Sequence, residues 1–122
     1  MKLTILDNSY KEQTWERLKA VRDAAEYGGF TYNGAVFDSD ETSVRRITGA
    51  VTLAMIAQST GEPYSETWIL ADNSTMQLDA QGVIGLGVAM GAHVKALFAR
   101  SVAARIEVEA ATTKAQLDAI VW

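Results

Sequence analysis

The chain has 122 residues, 48% of them hydrophobic and 21% charged, which allows a real but modest core and argues against wholesale disorder. Its formal net charge of -4 offers no overall attraction to nucleic acid or to an anionic membrane surface, so neither is an expected partner. With no cysteine there is no disulfide framework, no thiolate nucleophile and no thiolate metal site.

At the start of the chain, Leu3 and Ile5 alternate with Lys2, Thr4 and Leu6, which predicts a short strand within an N-terminal arm over residues 1–9. The apolar run before Asp7 is too short for the core of a signal peptide, so export by that route is not expected. Ser9 with Glu12 reads as a capping box. Trp15, Leu18, Val21 and Ala25 then recur at helical spacing until Gly28-Gly29 ends the first helix.

Phe30 to Phe37 is the most informative stretch. Two short aromatic or β-branched runs flank Asn33-Gly34, the dipeptide that best tolerates the two positive φ values of a type I′ turn. A two-residue loop places Phe30 opposite Phe37 and Tyr32 opposite Ala35, with all four on one face and Thr31 and Val36 on the other. That aromatic face needs a cover, and the flanking amphipathic helices are the expected one.

Asp38-Ser39-Asp40-Glu41 supplies an N-cap oxygen and first-turn acid for a second helix with an apolar face of Val44, Ile47, Val51, Ala54 and Met55, ending near Ser59 to Gly61. Pro63 lies just beyond that stop, and Tyr64 to Glu66 reads as a connector. Thr67 to Ala71 and Thr75 to Leu78 predict a second hairpin turning at Asp72-Asn73-Ser74. Asp79 caps a third and longest helix, with Val83, Leu86, Met90, Val94, Leu97 and Phe98 in period to about Ile106.

Glycine in a helix interior costs about 1 kcal/mol relative to alanine, so Gly82, Gly85, Gly87 and Gly91 predict a close backbone approach, with Gly87 and Gly91 forming a flat spot. The same glycines, with His93 and Lys95, interrupt the apolar run Val83 to Phe98 and leave it short of a membrane span. Thr112 or Thr113 caps a final short helix carrying Leu117, Ile120, Val121 and Trp122. Together these elements predict an α+β fold: three main helices plus a short C-terminal helix, with two short β-hairpins packed on them, in a single domain over 1–122.

Chemistry is less legible. Asp38, Asp40 and Glu41 with Ser39 and Ser43 resemble a hard-cation loop, but the EF-hand spacing is missing and a helix N-terminus accounts for the acids, so no metal site is expected. His93 has no nucleophile or carboxylate nearby in sequence and reads as a packed or surface residue. The glycines around Gly85-Leu86-Gly87 match neither GxxxxGK[ST] nor GxGxxG and follow no strand directly, which favours packing over phosphate binding. Arg45, Arg46, Lys95, Arg100 and Arg105 are interleaved with acids and read as solvated faces. No catalytic residue and no cofactor is expected.

Several stretches in order resemble a domain family of uncharacterised function found in tailed bacteriophages and prophages, often encoded beside tail-fibre genes. They are Trp15-Glu16-Arg17 with Arg22-Asp23, then GFTYNGAVFDSDETS including Phe37-Asp38-Ser39-Asp40, then Arg46-Ile47-Thr48-Gly49-Ala50, Trp68, Ala71-Asp72-Asn73, Leu78 and His93 to Leu97. The resemblance runs from Trp15 to Ile106 within a family-like core over 10–106, and the C-terminal segment 107–122 is similar to the ending of many phage tail-assembly proteins. In that family a variable region precedes the domain, whereas here residues 1–9 precede helix 1.

What the resemblance implies is a non-enzymatic virion component, assembled in the bacterial cytoplasm and placed in the tail. It would bind a tail fibre, baseplate or tail protein in several copies, as a homo-oligomer. A transient tail-fibre assembly chaperone is the alternative, and a small metal-binding module or enzyme a lesser one. The expected partner contacts are Leu3 and Ile5 on a strand that adds to a partner's sheet edge, Tyr32 and Asn33 at the hairpin tip, and Trp122.

Overall fold

A computed structural model describes residues 8–122, so the expected N-terminal strand with Leu3 and Ile5 lies outside the described residues. The order of elements is α1 (Asn8–Glu26), β1 (Phe30–Tyr32), β2 (Ala35–Phe37), α2 (Glu41–Thr60), β3 (Ser65–Ile69), β4 (Thr75–Asp79), α3 (Ala80–Ala110) and α4 (Lys114–Asp118). This is the α+β fold of three main helices, a short C-terminal helix and two antiparallel hairpins. The chain forms two compact units, residues 26–94 and residues 1–25 with 95–122.

In the unit of residues 26–94 the first hairpin has the expected register, Phe30 opposite Phe37 and Tyr32 opposite Ala35. Asn33 and Gly34 both take positive φ, 51° and 74°, as a type I′ turn requires. Phe30 and Phe37 are buried with ring centroids 5.9 Å apart, while Thr31 and Val36 face out. Their cover comes from Ile47, Ala50 and Ala54 of α2 and Val83 and Leu86 of α3, joined by Leu70 and Leu78.

The second hairpin begins earlier than expected: Ser65 and Glu66, read as connector, are already strand. Its loop is a type I turn with a left-handed residue, since Asn73 N–H donates to Leu70 O at 2.9 Å, Leu70 N–H donates to Ser74 O at 2.8 Å, and Asn73 has φ 69°. Asp72 fixes the turn by accepting the Ser74 N–H at 2.9 Å, and the bonds from Ser74 hold its carboxyl below the usual range. Ala71 N–H donates to Val36 O at 3.0 Å, which ties the loop to β2.

Two of the glycines of α3, Gly85 and Gly87, are explained by close approaches on this unit. A Cβ on Gly85 would collide with the Tyr32 ring, and one on Gly87 would lie 2.6 Å from Val51 Cγ2. Gly91 meets nothing within 4 Å, so the expected flat spot pairing Gly87 with Gly91 does not form.

In the other unit α1 and the C-terminal part of α3 run antiparallel, with Lys11 Nζ donating to Glu109 O at 3.1 Å and the Arg105 guanidinium 5.3 Å from the Trp15 ring centroid. Leu18 clusters with Ala104 and Val108, whose spacing of four puts them on one face of α3, and with Ala111 just beyond the end of that helix. Leu117 and Ile120 close this core. Helix α4 has a capping box between Thr113 and Gln116, and Arg17 donates to the Leu117 and Ile120 carbonyls at 3.3 and 3.2 Å. The C-terminal helix ends at Asp118, so Ile120, Val121 and Trp122 lie beyond it rather than on it.

Other boundaries also shift. Asn8 is already helical, so Ser9 sits inside α1 rather than at its cap, and α3 continues past Ile106 to Ala110. Val21, Met55 and Phe98, each read as part of a buried face, are exposed.

Candidate functional site

Two surfaces stand out, one on each unit. On the unit of residues 1–25 and 95–122, Phe98, Val102 and Ile106 recur every four residues of α3 and are 64%, 48% and 64% exposed. They form an apolar row on the side of the helix away from Ala104 and Val108. Fully burying an exposed side chain of this size contributes about 1.5–3 kcal/mol, and these are already partly covered, so association gains roughly half of that per side chain.

On the unit of residues 26–94 a groove of about 640 Å³ runs between α2 and β3. Arg46, Gly49 and Leu53 border it from the helix, and Glu66 to Ile69 from the strand. Short sequence spacing builds the helix side, because residues three and four apart share a face. The strand side depends on β3 returning past the helix. Tyr64, at the start of that return, donates its hydroxyl to Glu66. Burial and that bond push the Tyr64 hydroxyl up to about 12.

The residues weighed for catalysis or metal binding are engaged elsewhere. His93 Nε2 lies 3.2 Å from the Glu26 carbonyl oxygen, and its ring stacks on Phe30 at 5.8 Å. Ser39 is buried; it donates to the same Glu26 carbonyl at 2.5 Å and accepts the Gly29 N–H at 2.8 Å, holding the end of α1 against the start of β1. Asp40 precedes α2 with extended backbone and accepts a hydrogen bond from Ser43, which lowers its carboxyl below the usual range. Among the described residues no three His, Asp or Glu side chains gather as metal ligands.

The expected partner residues are not brought together. Tyr32 is half-buried and its hydroxyl donates to Gly82 O at 2.9 Å, while Asn33 is exposed at the turn. Trp122 packs half-buried on the Leu18 core with the Arg100 guanidinium 5.6 Å from its ring centroid. Leu3 and Ile5 lie outside the described residues. Sequence reasoning missed both surfaces, although the row Phe98, Val102, Ile106 has a readable period once Ala104 and Val108 are known to point the other way.

Residues 9–121 match the family described as Domain of unknown function (DUF4376). The chain belongs to this family. The DUF4376 match extends through the C-terminal segment that the sequence reading set apart at residue 107, so α4 and the end of α3 are part of the domain. No curated protein and no solved structure matches the chain.

Proposed function

We propose that this DUF4376 chain is a non-enzymatic accessory component of a bacteriophage tail, assembled in the host cytoplasm and retained in the virion. It acts by gripping a tail fibre, baseplate or tail protein and is present in several copies. The observation that carries the binding role is the exposed row Phe98, Val102 and Ile106, an apolar surface of the kind that marks a protein contact. The sequence resemblance supports the tail as its place.

Helix α3 is long and apolar enough to cross a membrane by length and composition alone. Val83, Leu86, Ala104 and Val108 of that helix are covered by the protein's own cores while most of its apolar stretch is exposed, and what favours a protein partner over an anionic lipid surface is the net charge of -4.

The test is co-purification with tail components from infected cells. Replacing Phe98 and Ile106 together by Ser removes the apolar row without touching a buried residue. The variant should keep its melting temperature and lose the tail component; retention of the component at wild-type level rejects this surface. Mass spectrometry of purified virions separates a resident component from a transient assembly chaperone.

A further inference from the structure

The groove between α2 and β3 has the form of a site for an extended chain. Four consecutive β3 residues border it, and consecutive strand residues share only their backbone edge because side chains alternate between faces. That edge is open. The Leu70 N–H bond to Ser74 O makes 70 and 74 a hydrogen-bonded pair, and such pairs alternate along an antiparallel ladder. Trp68 and Glu66 therefore direct their backbone groups to β4, and Thr67 and Ile69 direct theirs outward. Strand β4 is the sheet neighbour of β3, and among the described residues no backbone bond reaches Thr67 or Ile69 from the outer side.

Gly49 is the second observation. It lies inside α2, where glycine is less favourable than alanine. It does not have the positive φ that would call for glycine, and a Cβ there would meet nothing within 4 Å. The fold has no use for the missing side chain, whereas a backbone lying in the groove does. Beside it, Arg46 has no ion-pair partner among the described residues.

We propose that this groove receives the segment Lys2–Asp7 of a second copy of the chain, which adds as a strand to the outer edge of β3. That segment lies outside the described residues, but its sequence carries the matching chemistry. Leu3 and Ile5 alternate with Lys2 and Thr4, which gives one apolar edge to set against Leu53 and Trp68. Lys2 and Asp7 at its two ends are opposite in charge to Glu66 and Arg46 of the groove. Six extended residues span roughly 20 Å, enough to run the length of five-residue β3.

The experiment measures self-association by sedimentation, with no tail component present, so its failure leaves the tail-binding proposal untouched. The full chain should associate, and the chain lacking residues 1–7 should be monomeric. A synthetic Lys2–Asp7 peptide added to the shortened chain should shift the amide resonances of Thr67 and Ile69. A Cβ at position 49 meets nothing within 4 Å, so Gly49→Trp puts a ring into the groove without crowding the helix backbone, and the variant should stay folded by circular dichroism yet associate roughly tenfold or more weakly. A monomeric full chain, unchanged association after the deletion, or peptide-induced shifts confined to other residues each overturns the proposal.

Discussion

Tyr32 and Gly85 constrain one another. The Tyr32 hydroxyl reaches the Gly82 carbonyl across the surface of α3, and a Cβ on Gly85 would occupy the space of that ring. Gly85→Ala gains helix propensity but displaces the ring and breaks its bond, for an expected net loss of roughly 1–2 kcal/mol in urea unfolding. Gly91→Ala, at a helical position with nothing within 4 Å, should instead gain about 1 kcal/mol. If both glycines respond alike, the close approach of Tyr32 does not account for Gly85. Tyr64 gives a pH signature. Its folded-state pKa, near 12, is raised above the ordinary value near 10, so the stability linked to it is full below pH about 10 and is lost as pH rises towards 12. The Tyr10 hydroxyl is also raised, by its bond to Asp118, so tyrosinate absorbance should show late titration to which Tyr64 contributes, and Tyr64→Phe should reduce its amplitude by one tyrosine.

Element-scale features were legible where the determinants are local. Asn33-Gly34 dictates a turn whose dihedral angles only a few residues tolerate, so register and face of the first hairpin followed from eight residues. Thr113 as a cap was legible for the same reason, and Thr113→Ala should cost about 1 kcal/mol through loss of the bonds at the start of α4. Helix faces were less legible. Apolar residues occur on more than one side of α3, and only the packing partner decides that Ala104 and Val108 go inward while Phe98 and Ile106 stay out. Partner residues were least legible: Tyr32 looked like a free hairpin tip, but its hydroxyl partner is fifty positions along the chain. The α2–β3 groove depends on an unpaired strand edge, which no residue type announces. The latch at the end of α1 was hidden too. Ser39 looked like one more helix cap, yet it is buried and bonded to Glu26 and Gly29, so Ser39→Ala should cost about 1–3 kcal/mol by leaving the Gly29 N–H without its partner, while His93 still reaches the Glu26 carbonyl.

At the scale of the whole molecule, two separate hydrophobic clusters hold the two units, and α3 contributes to both. Val83 and Leu86 belong to the cluster around Phe37 and Ile47, whereas Ala104 and Val108 belong to the cluster around Leu18 and Leu117. Buried leucine or isoleucine truncated to alanine costs about 2–5 kcal/mol, a large share of the stability of a small domain. Because each cluster is confined to one unit, that loss should fall on the unit that carries the cavity and only weakly on the other. Leu18→Ala should lower amide-exchange protection in α1 and in residues 95–110 of α3, while residues 80–94 stay protected by Val83 and Leu86. Ile47→Ala should do the reverse, exposing α2 and the hairpins first. The boundary should fall inside α3 near Val94 and Lys95, a place where the helix itself is unbroken. Equal loss of protection across the chain in either variant would mean that α3 transmits the damage as one rigid rod, and the two clusters would then unfold as a single cooperative block.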